Sequence, residues 1–179
     1  MNKHVLCSLC ISLLIMHGSI AECLAQDQDT SDPVSSYKAS DNVLVVYYVG
    51  AASCNFSNRP EVIDAAKKIP KGFKEAHDQP VKFVFASMDR EIGEGLEFMR
   101  KHGEDWDEIS IGARYNNETL LRNFNSEVTP GTPHVIVYED VYSIDELNIP
   151  HLESREKVTN VFGANDVVRW VDKGFPLEQ

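Results

Sequence analysis

One unbroken run constrains this chain more than any other feature: Val43-Leu-Val-Val-Tyr-Tyr-Val49, apolar, β-branched and aromatic throughout. A strand with one wet face alternates apolar and polar side chains, so a continuous run belongs to a strand covered on both faces, at the centre of a sheet. Helices must supply the cover, and helical spacing follows. Beyond the loop Gly50-Ala-Ala-Ser-Cys54, the residues Val62, Ile63, Ala66 and Ile69 share one face of a helix expected from about Ser57 to Ile69, with Ser57 or Asn58 as its cap and Pro60 in its first turn. Pro70 and Gly72 are expected to interrupt it, with a weaker helical stretch reaching His77. Val81 to Ser87 reads as a second strand, parallel to the first because a helix joins the two.

The alternation continues. Ile92, Leu96 and Met99 recur at helical spacing, with Gly103 placed to end that helix. Glu108 to Gly112 is a short strand candidate and Glu118 to Phe124 a short helix. Gly131-Thr-Pro introduces a strand at His134 to Tyr138, followed by an irregular acidic stretch and a pairing strand at Val158 to Phe162. Val167, Val168, Trp170 and Val171 make the apolar face of a last helix. The expected class is α/β, a central mixed β-sheet flanked by helices on both faces.

Residues 1–25 stand apart from this pattern. Lys3 and His4 precede an apolar run, Val5 to Met16, that is too short for a membrane span of about 20 residues and suits the core of a secretory signal peptide cleaved before Gln26. Lipoprotein processing at Cys23 is the rival, opposed by Glu22 where a small residue is usual. An uncleaved anchor helix is the other alternative. Residues 26–41 are polar and acidic and read as a flexible linker, leaving residues 42–179 as one domain. Residues 1–25 carry one lysine and one glutamate, so the net charge of −11 stays with the remainder. That charge repels nucleic acid and anionic lipid and disfavours both as general partners.

The cysteines are unevenly placed. Cys7, Cys10 and Cys23 lie in the signal segment, so the exported domain keeps Cys54 alone and has no internal disulfide. His77, His102, His134 and His151 are scattered, without the spacing of a zinc site, and Asp89-Arg-Glu-Ile-Gly-Glu-Gly lacks calcium-loop spacing and reads as the start of a helix. No metal and no cofactor is expected. A thiol set just before a helix meets unpaired backbone N–H groups and the positive end of the helix dipole, which favour thiolate over thiol. Ser57, three residues on, is placed to donate its hydroxyl to that thiolate. Plainer readings stand beside these: a buried inert cysteine, and a serine that only caps.

Taken in order, Val43 to Tyr48, Ala52-Ser-Cys-Asn-Phe-Ser57 and Gly131-Thr-Pro-His134 resemble the thioredoxin superfamily over about Asn42 to Lys173. The additional segment Trp106-Asp-Glu-Ile-Ser-Ile is more similar to the tryparedoxin and nucleoredoxin branch, or to periplasmic thioredoxin-like proteins, than to a minimal thioredoxin. The resemblance implies that Thr132-Pro133 is a cis-proline loop beside Cys54, its backbone free to pair with an extended partner peptide. An ordinary trans proline opening a strand is the alternative. His134 is assigned no role.

Departures from the family are informative. Redox members carry a second cysteine where Ser57 stands, usually tryptophan where Ser53 stands, and in thioredoxins a buried acid where Tyr48 stands. Without a resolving thiol a mixed disulfide has no internal exit, so the dithiol cycle is closed to this chain. Two functions remain. One is an exported monothiol protein, periplasmic in a bacterium and otherwise secreted or in the secretory lumen, forming mixed disulfides with protein or peptide partners through Cys54, with Ser57, Thr132 and Pro133 shaping the site. The other is a redox-inactive module that uses the same groove to bind a peptide or protein.

Overall fold

A computed structural model describes residues 42–112, 118–124 and 131–178 of the chain. The expected signal segment 1–25 and the expected linker 26–41 lie outside these residues. Among the described residues no helix is long and apolar enough to cross a membrane.

The elements follow in the order β1 (Asn42–Gly50), α1 (Pro60–Ala76), β2 (Val81–Ser87), α2 (Ile92–Lys101), β3 (Glu108–Ser110), α3 (Glu118–Asn123), β4 (His134–Ile144), β5 (Pro150–Phe162) and α4 (Ala164–Asp172). They build a five-stranded mixed sheet in the order β3-β2-β1-β4-β5. β1 lies at its centre, parallel to β2 and antiparallel to β4, as its unbroken apolar run demands. Its side chains divide by parity. Leu44, Val46 and Tyr48 face the aromatic core built with α1, α2 and α4, while Val43, Val45 and Tyr47 face the opposite side with Val84, Ile136 and Tyr138. Leu120 of α3 joins Val49 and Ala86 on this second side, so helices flank both faces.

Four expectations need correction. The first helix starts at Pro60, not Ser57, and neither Ser57 nor Asn58 caps it: the N-cap position is Arg59, in extended backbone with φ −66° and ψ 136° and no side-chain cap bond. Proline disfavours helical backbone in the residue before it, so Pro60 fixes the start. The helix then runs through Pro70 to Ala76 without a break. Ile69, Pro70 and Phe73 are all buried against the core, and that packing outweighs the local cost of the proline. The third strand stops at Ser110 rather than Gly112, whose φ of +92° takes it out of the ladder.

The fourth correction is the largest. The acidic stretch after Tyr138 is no irregular loop but a long hairpin, β4 continuing to Ile144 and β5 beginning at Pro150, with two register shifts between them. Within it Asp140 is fully buried and Arg155 of the opposite strand holds both its carboxylate oxygens, Nε to Oδ1 at 2.7 Å and Nη2 to Oδ2 at 2.6 Å. Pairing across the ladder lets a buried acid sit where the sequence pattern forbids one.

Candidate functional site

β1 ends at Gly50, and the chain turns over the end of the sheet through Ala51 to Arg59 before α1 begins. Cys54, the one cysteine among the described residues, sits on this turn, half-buried and without a disulfide. β4 starts opposite the end of β1, His134 pairing with Val49, so the segment ahead of it arrives beside the thiol. The Thr132–Pro133 peptide bond is cis, and Cys54 Sγ lies 3.4 Å from the Thr132 carbonyl oxygen.

Several groups hold the turn. Asp89, almost wholly buried, accepts the Ala52 N–H with both carboxylate oxygens at 3.1 and 2.9 Å and the Ser87 hydroxyl at 2.6 Å. Asn58 Nδ2 faces three carbonyl oxygens, those of Ala51 at 3.3 Å, Ala52 at 2.9 Å and Cys54 at 2.8 Å, tying both sides of the turn together. His102, fully buried at the end of α2, lies between the Phe98 carbonyl at 2.8 Å and the Ser57 carbonyl at 2.9 Å. Beneath them Tyr48 fills the core, its ring stacked on Phe85 at 5.6 Å and its hydroxyl buried without a hydrogen-bond partner. Burial first, then proximity to Cys54, pushes the Tyr48 phenol far above its ordinary range. It stays neutral where a carboxylic acid would exchange protons.

The electrostatics of Cys54 are a balance. Burial alone raises its pKa, but the Thr132 and Ser57 side chains and the backbone N–H groups of Ser57 and Phe56 favour the ionised sulfur, and the outcome is a thiol below its ordinary value. In the protonated form Sγ donates to the Thr132 carbonyl, a bond that itself favours the thiol; the hydroxyls act once the proton has left. The Ser57 hydroxyl is fully buried and, with the proton still on sulfur, has no hydrogen-bond partner. The N–H groups do not come from the start of α1, as the sequence suggests, because Arg59 and Pro60 separate the two. They come from a helix-like turn closed by Asn58 N–H on the Cys54 carbonyl at 3.2 Å.

A cleft of about 590 Å³ opens beside the thiol, lined by Ser53, Cys54, Met88, Glu91, Glu94 and Thr132 among others. Its chemistry is that of a nucleophilic sulfur with donors on one side and room for an extended partner on the other. No group of three or more His, Cys, Asp or Glu that could hold a metal occurs among the described residues. Asp89, Asn58 and His102 escape sequence reasoning because their contacts to the turn depend on the fold; only Asn58 lies near enough in sequence for its type, a turn-favouring amide, to have hinted at it.

No family model matches the chain, and no curated protein matches it. Among solved structures, it is similar to the thioredoxin domain of a thiol-disulfide oxidoreductase from Bacteroides vulgatus, at 16% identity over 74% of this chain and 79% of that one, with a TM-score of 0.40. It is also similar to dsbF of MTB, solved in mixed oxidized and reduced forms, at 14% identity over 73% of this chain and 79% of that one, with a TM-score of 0.37. The fold is α/β, a five-stranded mixed sheet flanked by helices. Within this α/β fold Cys54, Ser57, Thr132 and Pro133 come together at one end of the sheet, while His134 points away. His134 is buried, its Nε2 bonded to Asn160 Oδ1 at 2.5 Å and its ring stacked on Phe124.

Two buried imidazoles are expected to make the stability of this domain sensitive to acid. Burial lowers the pKa of both His102 and His134, against hydrogen bonds that raise it, so each stays neutral to a lower pH in the folded than in the unfolded chain. The unfolded chain takes up protons near pH 6.5, and the stability due to the neutral rings, complete above that pH, is lost as pH falls toward the lower folded values. Urea midpoints should therefore fall between pH 7.5 and pH 5; a flat profile would contradict the neutral, buried state of these rings.

Proposed function

We propose that this is an exported monothiol protein of the thioredoxin-like fold that exchanges disulfides with protein or peptide partners through Cys54. The observation that carries the proposal is the setting of that sulfur: half-exposed on a cleft, below its ordinary pKa, with the otherwise unpartnered Ser57 hydroxyl beside it. The Cys54 thiolate attacks one sulfur of a partner disulfide. A new bond forms between Cys54 and that sulfur as the partner's S–S bond breaks, and the second partner sulfur leaves as thiolate and takes a proton from water. Ser57 and Thr132 stabilise the attacking anion with their hydroxyls, and the backbone around Pro133, which lacks a competing N–H, receives the partner chain.

Ser57 cannot attack the mixed disulfide, so release requires an external thiol. The protein should accumulate adducts with exported disulfide proteins that are visible on non-reducing gels and vanish on reduction. Cys54→Ser should remove them all. Adducts that persist in Cys54→Ser, or wild-type protein that forms none in an oxidising compartment, would end the proposal.

A further inference from the structure

On the α3 face of the sheet, among residues the thiol site does not use, lies a second cavity of about 350 Å³. Among the described residues, Lys82, Arg122 and Arg155 line it with one carboxylate, that of Glu108, in a chain of net −11. Tyr47, Tyr142 and Leu152 give it an apolar wall.

Arg155 is the informative residue. Its Nε and one Nη2 proton are spent on the fully buried Asp140, whose Oδ2 also accepts the Tyr142 hydroxyl at 3.1 Å. The guanidinium also lies 5.0 Å from the Tyr138 ring and 5.9 Å from the Tyr47 ring. A planar fork gripped on one edge has its other edge fixed in direction; Tyr47 is a further hydrogen-bond partner of the guanidinium, and Arg155 lines the cavity with donors that Asp140 does not use. A fork oriented by a buried carboxylate is the arrangement that recognises a second anion with little further loss of side-chain freedom. Lys82, bridged to Glu108 at 2.6 Å and about 40% exposed, adds a cation at the rim.

From this we propose that the cavity binds a small organic anion, a carboxylate or phosphate monoester with an apolar body, its charged oxygens on the outer edge of Arg155 and its body on the ring of Tyr47 and the side chain of Leu152. The volume suits a small molecule rather than a protein segment. The site is independent of Cys54 chemistry.

Titration of the full chain with benzoate and with phenyl phosphate, followed by NMR, is the test. The expected result is saturable shifts at Tyr47, Tyr142 and the Arg155 side chain for both probes, and none for benzamide, the neutral analogue of benzoate. Lys82→Gln with Arg122→Gln alters side chains outside the buried Asp140–Arg155 pair and should weaken both probes about tenfold, the order expected for removing two cations near a bound anion in a wet site. The fold of that variant is read from its own amide spectrum; the single Lys82→Gln, expected to weaken binding by a smaller factor, serves if the double variant fails to fold. Shifts that do not saturate, that benzamide reproduces, or that survive unchanged in the folded variants overturn the proposal.

Discussion

If Cys54 forms mixed disulfides as proposed, replacing Ser57 with cysteine is expected to give a protein that turns them over rather than accumulating them. The position is fully buried and lies three residues from Cys54 on the turn that carries the sulfur. A thiol there attacks the Cys54–partner bond, forms an internal disulfide and releases the partner reduced, which restores the step whose absence defines the natural chain. Trapped adducts should fall to background, and insulin reduction in the presence of dithiothreitol should rise from background to a rate measurable in minutes. A Ser57→Cys protein that is folded, forms no internal disulfide and shows no turnover would mean that the turn is not shaped for exchange.

Asn58→Ala should have the largest effect of any single change in the turn. Removing the amide leaves the Ala51, Ala52 and Cys54 carbonyls without its donor, and such losses cost about 1–3 kcal/mol when the acceptors are partly buried. The turn that presents the Phe56 and Ser57 N–H groups to sulfur loosens with it, so the urea midpoint should fall and the Cys54 pKa should rise toward the free value. Asn58→Asp should be worse than Asn58→Ala, because a carboxylate offers no donor and sets negative oxygens against the same carbonyls. Equal stability of the two variants would assign the residue a role other than donor.

The central frame was legible in the sequence where one physical term dominates. The Val43–Val49 run could be satisfied only inside a sheet, and Val81–Ser87 after a helix could be only its parallel neighbour, so β1 and β2 appear where the pattern puts them. Misreadings occurred where tertiary contacts compensate a locally unfavourable residue. Pro70 reads as a helix end, but burial of Ile69 and Phe73 on either side of it carries α1 onward. The acidic stretch that holds Asp140 and Arg155 reads as irregular, and their bidentate pairing across β4 and β5 belongs to a ladder instead. At the site, Cys54, Ser57 and Thr132-Pro133 were visible as short motifs in order. Asp89 and His102 were not, because they reach the turn from residues 37 and 45 positions distant.

The central claim is that the fold makes Cys54 an accessible thiol more acidic than a free one, and the pH dependence of its alkylation by iodoacetamide tests it most directly. In the folded protein the rate should follow a single titration with its midpoint below about 8.5, the value of an unperturbed cysteine, and denaturation should move the midpoint up to that value. A midpoint at or above 8.5 in the folded state, or alkylation seen only after denaturation, would contradict it.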